Sequence, residues 1–161
     1  MSTAHISIGS NLGDRAALIE RAVAAISARF AVTAVSRPVE SEPWGYSSPH
    51  PFINVGVNIE IGPGMTPETL LDILLEIQNS IDSSAHRNTD GSYADRAIDI
   101  DLICYGSVAT PPDAHPALPH PRMHLREFVL IPMIEILPTW RHPLLGLTSA
   151  RLLHRLSPST P

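Results

Sequence analysis

Two carboxylates separated by a single residue, Asp99 and Asp101 in Ile98-Asp99-Ile100-Asp101-Leu102, are the side chains best suited to chemistry in this sequence. On a strand, alternate side chains share a face. Both acids therefore project together, roughly 7 Å apart at the standard rise, while Ile98, Ile100 and Leu102 turn the other way into a core. Adjacent carboxylates repel each other unless cations or protons intervene. Hard oxygen ligands suit Mg²⁺, and paired Mg²⁺ ions bridge nucleotide phosphates. The same alternation also fits the solvated face of a half-exposed sheet, and spacing alone does not separate the two readings. Arg96, three residues before Asp99, is placed either to grip a phosphate bidentately or to serve as a surface ion-pair partner.

Other candidates carry less. Gly9-Ser10-Asn11-Leu12-Gly13 joins a strand to a helix, so it could cradle an anion at a helix N-terminus. It lacks the lysine and spacing of a P-loop, and a tight turn followed by an Asp14 cap explains it equally. Among the eight histidines, His120 and His124 have i, i+4 spacing. Pro119 and Pro121 flank His120 and disfavour a regular helix there, which argues against a zinc pair. Trp44 lies in the polar, proline-bearing loop from Glu42 to Pro51. It could stack on a planar ligand or simply pack the loop down. A second long polar stretch, Asp82 to Asp95, has the length of a lid or binding loop.

The elements that must position these groups follow from periodicity. His5-Ile6-Ser7-Ile8 alternates as a strand, and Leu18, Ile19, Ala22, Val23, Ile26 and Phe30 predict a helix over Arg15 to Phe30. Val32 to Val39 is rich in β-branched residues, with Pro38 restricting it to an edge or a bend. Phe52 to Ile61 alternates strictly, and Thr66-Pro67 caps a helix burying Leu70, Leu71, Ile73, Leu74, Ile77 and Ile81. A strand from Ala97 to about Tyr105 carries the two acids. Pro111 to Pro121 is proline-rich, and Glu127 to Leu137 predicts a short helix whose regularity Pro132 should limit. This order predicts an α+β, ferredoxin-like split βαβ sandwich. Its mainly antiparallel sheet carries helices on one face, its other face is open for a ligand, and its C-terminal part is α-rich.

Length and composition bound the rest. The 161 residues fit one domain, 1–161, and 43% hydrophobic with 17% charged residues is a globular composition. A formal net charge of −5 argues against nucleic acid or an anionic membrane as main partner. The single cysteine, Cys104, sits in an apolar run and reads as a buried, inert thiol. With no apolar signal core and no long apolar stretch, a cytoplasmic location without an obligate protein partner is the expectation.

These residues converge on one family. Ile8-Gly9-Ser10-Asn11-Leu12-Gly13-Asp14, Glu42-Pro43-Trp44-Gly45 and Phe52-Ile53-Asn54-Val55 come in order. They are followed by Asp95-Arg96-Ala97-Ile98-Asp99-Ile100-Asp101-Leu102, Leu118-Pro119-His120-Pro121-Arg122-Met123-His124 and Arg126-Glu127-Phe128-Val129-Leu130. Over nearly its whole length the chain resembles 6-hydroxymethyl-7,8-dihydropterin pyrophosphokinase of folate synthesis.

The resemblance implies diphosphate transfer from ATP to the pterin's hydroxymethyl group, releasing AMP. It implies two Mg²⁺ ions on Asp99 and Asp101 and a catalytic role for Arg96. The pterin would lie between Phe128 and Phe52, with Asn54 reading its edge and Ser41, Glu42 and Trp44 adding loop contacts. ATP would contact Gln78, Arg96, Leu102, His120 and Arg126. One departure stands out: Ser84 replaces an arginine found in many members, and Gln78 replaces a glutamate. His86 and Arg87 are candidates to supply the missing positive charge. Asp90-Gly91-Ser92-Tyr93-Ala94-Asp95-Arg96 follows a subtype of the family. The alternatives are a non-catalytic ferredoxin-like module holding a small ligand, and a different metal-dependent nucleotide transferase.

Overall fold

The computed structural model describes residues 2–44, 46, 48–82 and 97–157. The first strand, β1 (Ser2–Ser10), is followed by helix α1 (Arg15–Ser27). The Asp14 side chain caps α1 by accepting from the Ala17 N–H at 3.2 Å. The helix is shorter than its periodicity predicts, but the Phe30 N–H still donates to the Ile26 carbonyl in the closing turn. Two short strands follow, β2 (Ala31–Val35) and β3 (Val39–Ser41). Pro38 lies in the break between them, since it cannot donate to a ladder. Strand β4 (Phe52–Ile61) leads to helix α2 (Pro67–Ile81), capped by the Thr66 side chain. Strand β5 (Asp99–Tyr105), α3 (Glu127–Ile136) and α4 (Ser149–Leu156) complete the chain.

The sheet order is β2-β4-β1-β5, with β3 also on β4. The paired strands are antiparallel throughout. This is the split βαβ arrangement of a ferredoxin-like fold. Ala4, Ile6 and Ile8 of β1, Val55, Val57 and Ile59 of β4, and Ile100 and Leu102 of β5 face α1 and α2. The two helices bury Ile19, Ala22 and Ile26, and Leu70, Leu74 and Ile77, against that face. Each such aliphatic side chain larger than alanine contributes about 1.5–3 kcal/mol on burial.

The second face is not wholly open, as the sequence led one to expect. A second apolar cluster built from Ile103, Cys104, Met123, Val129, Leu130, Met133 and Leu152 covers part of it. An irregularity in the β1–β5 register between His5 and Ile6 lets Ile103 and Cys104 both join this cluster. Pro132 does not interrupt α3. It sits against the sheet where Gly56 lacks a side chain, and a Cβ there would lie 2.8 Å from the Pro132 Cβ. The Asn58 amide donates to the Ile136 carbonyl at 2.8 Å, fastening the end of α3 to β4. No helix among the described residues is long and apolar enough to cross a membrane.

Candidate active site

What α3 leaves uncovered is a cavity of about 370 Å³ on the second face. Its floor follows from strand register. Asp99 of β5 pairs with Gly9 of β1, Gly9 pairs with Asn54 of β4, and Asn54 pairs with Val39 of β3. Paired residues in an antiparallel sheet point to the same side. One row therefore runs from a carboxylate, across a bare glycine, to an amide, and spans roughly 10 Å over two strand spacings. A second row runs Asp101, Ser7, Gly56. Asp99 and Asp101 both line the cavity and are half-buried, so they do share a face as period two requires. Gly9 keeps the floor low, because a Cβ there would approach Asn54 Oδ1 at 3.0 Å and the Phe52 ring at 3.3 Å.

Much of the remaining lining is aromatic and amide in character. Phe52, Phe128, Trp44 and Tyr46 contribute to it, with Ser41 and Glu42. The Asn54 Nδ2 group donates to the Val39 carbonyl at 3.0 Å and to Ser41 Oγ at 2.8 Å, which locks the amide and ties β3 to the cavity rim. Trp44 is partly exposed and stands beside the Arg126 guanidinium, 4.5 Å from its ring centroid, and beside Arg122 at 5.9 Å. It thus contacts cations as well as closing the loop.

His120 comes from the proline-rich segment, where its backbone N–H donates to the Ile103 carbonyl at 2.7 Å. Burial, then the neighbouring Arg126, pull its pKa down to about 4, with Asp99 opposing and Arg122 adding to the fall. The ring is therefore neutral near pH 7. Its Nδ1 accepts from the Arg122 N–H at 3.2 Å, which leaves the proton on Nε2. His124, by contrast, is not among the lining residues and packs edge-on to His142 with centroids 6.3 Å apart.

A family model described as 7,8-dihydro-6-hydroxymethylpterin-pyrophosphokinase (HPPK) matches residues 5–138. The chain belongs to this family. A pyrophosphokinase relative from Porphyromonas gingivalis is named 2-amino-4-hydroxy-6-hydroxymethyldihydropteridine pyrophosphokinase. It is 36% identical over 144 residues, covering 89% of this chain and 95% of its own length. A relative of the same name from Bacillus subtilis is 34% identical over 135 residues, covering 83% of this chain and 77% of its own. Among solved structures, wild-type Plasmodium falciparum HPPK-DHPS superposes with a TM-score of 0.70 at 12% identity. That match covers 96% of this chain but 44% of the other, so the chain spans less than half of that protein, and the likeness bears on fold alone.

In this pyrophosphokinase family member, the cavity gathers Ser41, Glu42, Trp44, Phe52, Asn54, Asp99, Asp101, His120, Arg126 and Phe128 of the residues singled out from sequence. Gln78 and Leu102 are placed elsewhere. The Leu102 side chain lies in the core beneath the sheet. Gln78 Oε1 accepts from the Ile100 N–H at 2.8 Å and so pins the start of β5 from the helix face. His86, Arg87 and Arg96, with Ser84, fall outside the described residues. Sequence reasoning passed over Tyr46, Ser7, Gly9 and Arg122 as lining residues. Gly9 and Ser7 were legible in principle, as the alternate positions to Ile6 and Ile8 on a strand opposite the acids. Loop residues such as Tyr46 carry no periodic signal.

Proposed function

We propose that the chain transfers the diphosphate of ATP to 6-hydroxymethyl-7,8-dihydropterin in folate synthesis, with AMP as the second product. The supporting observation is the cross-strand row Asp99, Gly9, Asn54, which sets a phosphate-handling edge and a ring-binding edge about one small substrate apart. In the reaction the hydroxymethyl oxygen bonds to the β-phosphorus of ATP. The bond from that phosphorus to the α–β bridging oxygen breaks, the hydroxyl proton is lost, and AMP leaves. Such transfers depend on positioning and on neutralising charge.

The pterin ring is assigned to the space between Phe52 and Phe128. There Asn54 Oδ1, on the Gly9 side of the cavity, meets a donor on the ring edge. Gly9 gives the ring room, and Ser41, Glu42 and Trp44 close over it. The nucleotide is assigned to the opposite edge. There His120 presents an uncharged Nε2–H to a phosphate oxygen, while Arg126 and Arg122, which stand against the Trp44 ring, supply positive charge from the pterin side. Arg96, His86 and Arg87 are proposed to add cations from the segment before β5, and Gln78 and Leu102 act by holding or forming β5 itself.

Asp99 and Asp101 fit Mg²⁺, since they offer hard oxygen donors on one wall and leave the remaining positions to phosphate and water. Among the described residues, no group of three or more His, Cys, Asp or Glu side chains forms a metal site. Two ions bound through this pair would neutralise the diphosphate's charge as it transfers.

The test is direct: incubate the protein with ATP, Mg²⁺ and the reduced pterin, and quantify AMP. AMP formation that requires both the pterin and the metal is expected. Binding of both ligands with no AMP would refute transfer and favour the non-catalytic module.

A further inference from the structure

The Gly9–Gly13 turn holds something other than an anion. Asn11, 2% exposed, directs Nδ2 away from α1 and into the 42–51 loop. It donates to the Tyr46 hydroxyl at 3.1 Å and to the His50 carbonyl at 3.0 Å. One helical turn on, Arg15 Nη1 donates to the Pro51 carbonyl at 2.9 Å. The loop's far end is thus clamped by the β1–α1 turn. Its near end is clamped by Asn54, which bonds Val39 and Ser41. Between the two clamps lie Glu42, Trp44 and Tyr46, which line the cavity.

We infer that Asn11 is a positioning residue for ring-substrate binding, setting the height of the 42–51 loop over the cavity through Tyr46 and the His50 carbonyl. The inference rests on the reading of the aromatic wall as the pterin side. It differs from that reading in naming a residue that touches no substrate. The chemistry requires an amide here: two N–H donors on a short arm serve a hydroxyl and a carbonyl at once. A carboxylate of the same shape has no donor and would face the His50 oxygen.

The clamp makes loop order, and hence pterin affinity, depend directly on Asn11, while β5 and the 120–126 segment sense the loop only indirectly, through Trp44 against Arg126 and Arg122. Calorimetric titration separates the two arms: a non-hydrolysable ATP analogue alone, then 6-hydroxymethyl-7,8-dihydropterin in its presence. Asn11→Ala is expected to weaken pterin binding about tenfold, the loss of two modest hydrogen bonds, with a clearly smaller loss for the analogue, which senses the loop only through Trp44. Tyr46→Phe, which removes a single hydroxyl on a loop, should weaken it less. The double variant should bind no worse than Asn11→Ala alone, because the two share one bond.

Unchanged pterin affinity in both single variants, or equal losses for pterin and analogue, overturns the inference. Fully additive losses in the double variant do so as well. Wild-type protein that binds no pterin overturns the reading of the wall and this inference with it. Wild-type binding that Asn11→Ala and Tyr46→Phe both match overturns this inference alone.

Discussion

Acidification should unfold this protein through a buried histidine that does not line the cavity. His5 is fully buried on the second face, where its Nδ1 meets Asn58 Oδ1 at 2.8 Å. The Asn58 amide donates onward to Ile136, so its oxygen must accept, and the His5 proton sits on Nδ1. Nε2 has no hydrogen-bond partner among the described residues. Burial pulls the His5 pKa from 6.5 to about 4, against the opposing effect of the Asn58 bond.

The sign follows from linkage. Below pH 6.5 the unfolded chain takes up a proton that the folded chain refuses until about pH 4. Stability from His5 is therefore whole above pH 6.5 and lost as pH falls toward 4. At 1.36 kcal/mol per pK unit the loss is about 3 kcal/mol, a large share of the 5–15 kcal/mol typical of a domain. His120 adds a loss of the same sign.

Urea unfolding at half-unit steps from pH 7.5 to 4 isolates the His5 part by comparison with His5→Phe. The variant leaves Asn58 Oδ1 buried and unmet, so it should be less stable at pH 7 by about 1–3 kcal/mol. Its stability should also fall less steeply on acidification, by up to about 1.4 kcal/mol per pH unit. If His5→Phe and wild type lose the same stability between pH 6.5 and 4, the reasoning about His5 is wrong.

Three further outcomes are expected. Asp99→Asn and Asp101→Asn should each lower AMP formation by on the order of 10²-fold or more with little change in melting temperature, measured by coupled assay and calorimetry. Gly56→Ala would place a Cβ 2.6 Å from His5 Cε1 and 2.8 Å from the Pro132 Cβ. Overpacking of this kind should cost about 1–3 kcal/mol in denaturant unfolding. Gly9→Ala crowds Asn54 Oδ1 and Phe52, so steady-state kinetics should show a raised KM for the pterin with KM for ATP nearly unchanged.

The parts of the site that were legible in sequence are those set by local period. Asp99 and Asp101 share a wall, and Phe52 and Asn54 share the other, because two-residue alternation dictates both. What no local pattern carries is register. That Gly9 lies between Asp99 and Asn54 depends on which strands pair, which is decided by the whole core. Strand β3 begins at Val39, where the β-branched run ends, and its three residues are too few for alternation to mark a separate strand. The partial covering of the second face had a faint signal in Gly56 and Asn58 flanking Val57, where a bare position and an amide await a packed helix. Pro132 pointed away from a regular α3 by the ordinary rule, and the structure instead seats the ring on the bare Gly56, where packing against the sheet offsets the missing hydrogen bond.

The floor of the cavity is drawn from β5, β1 and β4, segments that lie some ninety residues apart along the chain at the extremes and meet only in the finished sheet. A partly folded chain owns none of it. Ligand grip and completion of the sheet are therefore one cooperative event, and a saturating pterin and nucleotide analogue should raise the global unfolding midpoint rather than tighten a single loop. Hydrogen exchange would then slow together at the central amides of all three strands.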